Sequence, residues 1–161
     1  MSKLYVLQHC LLRKEMDMMV DIASGSTPTE AGHETLKYTK YSVNAPIPEV
    51  EDKYRVMLET LQASDISSLK FETVKASFEE NGFIRPNKTK DLDEDIKYVF
   101  FTKINESKDL SGGNFRIYSD DGYSGAPPIE KGYTICFKAD TKYEISRLKS
   151  GTATYMITFA K

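Results

Sequence analysis

The sequence predicts one α/β domain spanning residues 1–161, with helices mostly in the N-terminal half and antiparallel strands at the C-terminal end. Helix-favouring sequence dominates to about residue 82, while alternating runs rich in Tyr, Phe, Ile, Thr and Val dominate after residue 96. The chain also opens on a short apolar run, Leu4 to Leu7, bounded by polar residues in the manner of a strand covered on both faces. This texture alone also permits a helical half packed beside an antiparallel sheet.

KLYVLQH reads as a buried strand, and LLRKEMDMMVDIA as a helix through Leu12, Met16, Met19 and Val20. Ser26 to Pro28 make a break, after which Thr29 caps a helix running through Glu34, Leu36 and Tyr41 until Asn44 to Pro48 end it. Pro48, Glu49 and Glu51 open the next helix, whose Tyr54, Met57, Leu58 and Leu61 share one face. LKFETVKASFEENGF reads as a further helix with Leu69, Val74 and Phe78 toward a core and Gly82 as its stop. KYVFFTKI is the strongest strand signal and is expected in the sheet interior. NFRIY, GYTICFKA, YEISRL and ATYMITF follow as strands, with ADTK and LKSG as hairpin turns between the last three. Gly112, Gly113, Gly122, Gly125, Pro127 and Pro128 make residues 105–131, including SDDGYSGAPP, rich in loops.

With 22 basic and 24 acidic residues, the net charge of -2 selects neither nucleic acid nor an anionic membrane. The apolar runs fall far short of the roughly 20 residues that span a bilayer, and no leader pattern opens the chain. A soluble, cytoplasmic protein is the expectation. Cys10 and Cys136 form no CxxC pair or disulfide spacing, so reduced thiols are expected. No cofactor or metal is called for: GxxxxGK[ST], GxGxxG and HExxH do not occur, and the acidic run DLDED at 91–95 reads as a solvated face.

The chemically suggestive residue is His9, at the end of LYVLQHC. As a plain structural element it is a hydrogen-bonded histidine at a strand end. Cys10 beside it does not make a thiolate–imidazole pair, because neighbours on a strand point to opposite faces. His33, in AGHE, reads as solvent-facing.

LYVLQHC resembles the first strand of the histidine phosphatase, phosphoglycerate mutase-like family, which ends Leu-x-x-Arg-His-Gly. STPTEAGHETLK is similar to the family's Leu-Thr-x-x-Gly opening, with Gly32 at the family's distance from His9. ISSLKFETVKASFEENGF resembles a shortened Ser-Ser-x-Leu-x-Arg-Ala segment, KYVFFTKI a strand that ends on a second histidine, and GYTICFKADTKYEISRL the closing hairpin.

The resemblance implies one three-layer domain with a mixed sheet, including a short strand near DIS, and a phosphoryl-transfer site in which His9 is the nucleophile. The family's charge partners are changed. Gln8 stands for the preceding arginine, Cys10 for the glycine, Leu69 beside Lys70 for the second arginine, and Lys103 for the second histidine. Each lost electrostatic contact costs about 2.7–4 kcal/mol of transition-state stabilisation.

The resemblance therefore implies a catalytically impaired member, leaning away from enzyme activity, that binds a protein or a phosphorylated or anionic ligand through Gln8, Arg13, Lys70 and Lys103. Arg13, Lys70 and Lys103 read alternatively as surface charge. Two other readings remain open: an active phosphatase using His9, and an unrelated small accessory or viral interaction protein. Oligomeric state has no signal.

Overall fold

The computed structural model describes residues 4–122 and 124–161; Lys3 of the KLYVLQH run and Tyr123 of the SDDGYSG run lie outside the described residues. The first half holds β1 (Tyr5–His9), α1 (Arg13–Ser24), β2 (Thr29–Glu30), β3 (Leu36–Lys37), β4 (Thr39–Val43) and α2 (Pro48–Thr60). A 3-10 turn at Ile66–Ser68 leads to β5 (Phe71–Phe78), β6 (Phe83–Lys88) and the short α3 (Thr89–Leu92). Then follow β7 (Tyr98–Glu106), β8 (Ser111–Gly112), β9 (Phe115–Tyr118), β10 (Ser124–Gly125), β11 (Tyr133–Lys138), β12 (Lys142–Ile145), β13 (Leu148–Ser150) and β14 (Ala153–Ala160).

Two sheets face each other. The larger has the order β1-β11-β7-β14-β5-β4-β2, the smaller β10-β9-β12-β6-β3, and β13 pairs with β8 as a small third sheet. Every strand pair among the described residues is antiparallel. From β5 onward the chain passes between the sheets: β5, β7, β11 and β14 belong to the large one, β6, β9, β10 and β12 to the small one. This is a jelly-roll barrel with α1 and α2 against the outer face of its large sheet.

Strand alternation divides the apolar residues into two cores. Val99, Phe101, Ile135, Phe137, Tyr155 and Ile157 face the small sheet and meet Phe115, Ile117, Tyr143 and Ile145. Tyr98, Phe100, Cys136 and Met156 face the helices and meet Met16, Met19, Tyr54, Met57 and Leu58. Both faces of β7 are therefore covered, which is why YVFF is continuously apolar. On the helix side, Tyr54 Oη lies 2.7 Å from Thr102 Oγ1, itself 2.5 Å from Thr134 Oγ1, so these buried hydroxyls satisfy one another.

The fold corrects the three-layer α/β expectation with its mixed sheet. Helices α1 and α2 form where the sequence predicts them, as do β7, β9, β11, β12 and β14, and β7 is interior as expected; β1 also forms, but at the sheet edge with Gln8 and His9 exposed, not as the buried strand expected. Residues 29–43 hold the short strands β2, β3 and β4 with a turn between β2 and β3, not a helix, and FETVKASF is β5. In β5, Val74, Ala76 and Phe78 alternate into the barrel core, a period of two that the spacing of Leu69, Val74 and Phe78 conceals. ADTK is not a hairpin turn, because the strands it joins lie in different sheets. Residues 148–150 of LKSG are strand β13, with Ser150 closing that strand and Gly151 turning at φ +80°.

Candidate functional site

The cleft that stands out chemically is built around Lys103. The alternation of Val99, Phe101 and Lys103 along β7 carries the lysine to the barrel side of the large sheet, where it is only 8% exposed. Opposite it on β14 is Tyr155, while Thr154 pairs with Asn105, so Ile104 is an extra residue in the ladder. Such a bulge bends a strand and re-aims its side chains. Lys103 Nζ is 3.2 Å from Glu106 Oε1 and 5.9 Å from the centre of the Tyr155 ring.

Lys103 and Tyr155 line a cavity of about 330 Å³, walled by Gly113 to Arg116 and by the 126–129 segment with its two prolines. Arg116 reaches Ser124 Oγ at 3.2 Å and Glu144 Oε1 at 3.6 Å. Burial, and then the charge of Glu106, push the Tyr155 hydroxyl far above the usual phenol range, so it remains a neutral donor. Glu106 is about half exposed and can turn to water, whereas Lys103 is held inside. The arrangement suits an anionic group entering to meet the ammonium.

A second polar cluster lies where β6 and β12 run side by side. Asn87 is directly opposite Tyr143, and Thr89 follows β6 by one residue. Asn87 Nδ2 donates to the Arg85 carbonyl at 2.7 Å, but buried Asn87 Oδ1 and Thr89 Oγ1 have no protein hydrogen-bond partner. Burial raises the Tyr143 hydroxyl far above the usual range, reinforced by Tyr38 and partly offset by the Thr89 hydroxyl. Tyr143 is a neutral phenol.

The residues carried over from the histidine phosphatase resemblance do not form one site. His9 ends β1 at the sheet edge, exposed, with Tyr133 edge-on at 5.4 Å. Strand β11 separates it from β7, and it does not line the Lys103 cavity. Gln8 is exposed beside it. Arg13 is a surface residue of α1, 3.9 Å from Asp17, and Lys70 is exposed, its backbone paired with Lys161. Arg13 lines a separate cavity on the helix side with Lys75 and Lys131, and Lys103 lines the one shared with Tyr155. Arg116, Tyr155, Asn87, Thr89 and Tyr143 were not singled out by the sequence; the alternation in FRIY and YEI is the one signal that assigns two of them to faces.

No family model and no curated protein sequence matches this chain. Solved structures do. A prolyl-4-hydroxylase from Pseudomonas putida matches 98% of this chain and 92% of its own at a TM-score of 0.74 and 15% identity. A viral collagen prolyl hydroxylase from Paramecium Bursaria Chlorella virus-1, solved with 2-oxoglutarate (2OG), covers 98% and 96% at 0.72 and 15%. An oxidoreductase of the 2OG-Fe(II) oxygenase family from Burkholderia pseudomallei covers 98% and 85% at 0.73 and 9%.

These matches overturn the histidine phosphatase, phosphoglycerate mutase-like reading, in its impaired and its active form. They also remove the ground for leaning away from catalysis, which rested on the missing arginines of a phosphatase site. Antiparallel sheets in jelly-roll order, matched over nearly the whole chain, give this protein the fold of the 2OG-Fe(II) oxygenases.

Proposed function

We propose that this oxygenase-fold barrel takes a small carboxylate ligand of the 2-oxo-dicarboxylate class into the cleft at Lys103. The observation that carries the reading is a buried ammonium facing the barrel interior beside a neutral tyrosine hydroxyl. A ligand carboxylate replaces Glu106 as the partner of Lys103, Tyr155 donates a hydrogen bond, and Phe115 and the prolines enclose the carbon chain. The fold supports the choice of ligand class, because a structural neighbour was solved with 2OG.

The iron that such neighbours are named for does not fit these residues. A non-haem Fe(II) site of this class uses two histidines and a carboxylate. This chain has two histidines in all, His9 and His33. His9 is on β1 and His33 follows β2, strands at opposite edges of the seven-stranded sheet. Six strand spacings separate those edges, about 28 Å measured along the sheet, far beyond one coordination sphere. No group of three His, Cys, Asp or Glu residues among the described residues is placed to hold a metal. The function proposed is accordingly ligand recognition by Lys103 and Tyr155, with no step routed through iron.

No helix of the described residues is long and apolar enough to cross a membrane. Both thiols are free and buried, which supports a cytoplasmic setting.

The reading is tested by calorimetric titration with 2OG, succinate and inorganic phosphate, using wild type and Lys103→Met. The expectation is that 2OG binds and that K103M weakens it by about 10- to 100-fold, the loss of one charge-assisted hydrogen bond. No binding of either carboxylate, or equal binding by the variant, overturns it.

A further inference from the structure

A facial triad presents three ligating atoms to one face of its metal. The barrel gathers three polar side chains between β6, its extension and β12. Asn87 and Tyr143 are cross-strand partners on β6 and β12 and so share a face, and the Thr89 hydroxyl is close enough to interact with that of Tyr143. Tyr143 belongs to the core between the sheets, and Thr89 is 4% exposed. Each member nevertheless brings an oxygen or an amide, none a histidine nitrogen or a carboxylate.

We infer that this barrel works without iron, its Asn87, Thr89 and Tyr143 forming a neutral polar cluster in place of a metal centre. An amide oxygen, an alcohol and a phenol are weak ligands for Fe(II), which imidazole and carboxylate hold. The phenol does not become an anionic ligand either, since it sits in an apolar core among Phe101, Phe115 and Phe137. Asn87 Oδ1 is instead free to accept from a hydrogen-bond donor, the partner that a buried oxygen requires. This inference does not rest on the Lys103 reading: metal uptake and carboxylate binding are read by separate measurements.

The test uses the full chain under anaerobic conditions. Wild-type protein is mixed with one equivalent of Fe(II), and separately Co(II), passed through a desalting column and assayed for retained metal. Retention near background is expected, and retention near one equivalent overturns the inference. A second arm installs the missing ligands as N87H/T89D/Y143H. If that variant keeps the wild-type circular dichroism and develops the visible Co(II) absorption of a protein site, the cluster occupies a position able to hold metal, as inferred. A folded variant with no Co(II) spectrum overturns that placement. Should it lose its fold, the wild-type retention measurement still decides whether the natural barrel takes iron.

Discussion

Gly112 sits at φ +78°, where a methyl group added to its Cα would run into the carbonyl oxygen of Arg147. Gly122 has a similar φ of +87° with open space around it. The pair separates two effects. Gly122→Ala is expected to cost about 1–3 kcal/mol from backbone strain alone, whereas Gly112→Ala adds a backbone clash and costs more. Urea denaturation of both variants measures the difference, and equal losses would show that β8 and β13 part easily. Because Gly112 pairs with Leu148 and adjoins the Gly113 wall of the Lys103 cleft, the destabilised variant should also lose carboxylate binding.

At the scale of elements, α1 and α2 are tied by an ion pair between buried Glu15 and partly exposed Lys53. Glu15 is 4% exposed and its carboxylate accepts from Lys53 Nζ at 2.5 Å and from the Leu12 amide at 2.8 Å. Burial pushes the Glu15 carboxyl up, but Lys53 and the Leu12 N–H outweigh it, and its pKa is lowered overall. A lowered carboxylate pKa contributes stability that is present above the unfolded value of about 4.3 and lost as pH falls through the folded value. Glu15→Gln is therefore expected to cost about 1–3 kcal/mol at neutral pH and to flatten the decline in stability below about pH 4.3. Denaturation midpoints across that range supply the check; parallel curves for variant and wild type would dismiss the pair as a stabilising tie.

The same scale shows what the sequence made legible. Helices α1 and α2 announced themselves through faces such as Tyr54, Met57, Leu58 and Leu61, and β7 through its unbroken apolar run, because each is decided by burial of its own residues. Residues 29–43 and FETVKASF were misread because polar Thr, Lys and Glu alternate there with few large apolar residues, so neither period dominates. Sheet membership was not legible at all. GYTICFKADTKYEI is locally indistinguishable from a hairpin, and only the partners β7 and β9, distant in sequence, draw its halves into different sheets. Lys103 was found as a residue, but for a site that does not exist; Tyr155 and Arg116 required the barrel to bring their strands together.

For the whole molecule, two cores share one sheet. Phe101 packs against Phe115, Phe137, Tyr143 and Tyr155 inside the barrel. Phe101→Ala is expected to destabilise the protein by about 3–5 kcal/mol, as read from equilibrium unfolding with the two sheets lost together; a loss under 1 kcal/mol would place the weight of the fold elsewhere. Cys10 and Cys136 lie in the other core. Burial raises both thiols, well above the usual value for Cys136, while Thr134 and Lys53 moderate the rise at Cys10. Neither should react with a disulfide reagent in the native state, and both should react upon unfolding. Rapid labelling of native protein would reveal an opening between α1 and the large sheet.

The chain contains no tryptophan, and Tyr143 and Tyr155 are among the aromatic rings packed within the barrel. Its near-ultraviolet optical activity therefore comes from tyrosine and phenylalanine, with the rigid rings of the barrel contributing where exposed ones average out. Since Tyr155 lines the Lys103 cleft, a carboxylate arriving there alters the surroundings of one such ring. The molecule thus carries a built-in optical reporter at the cleft, readable without label or added chromophore.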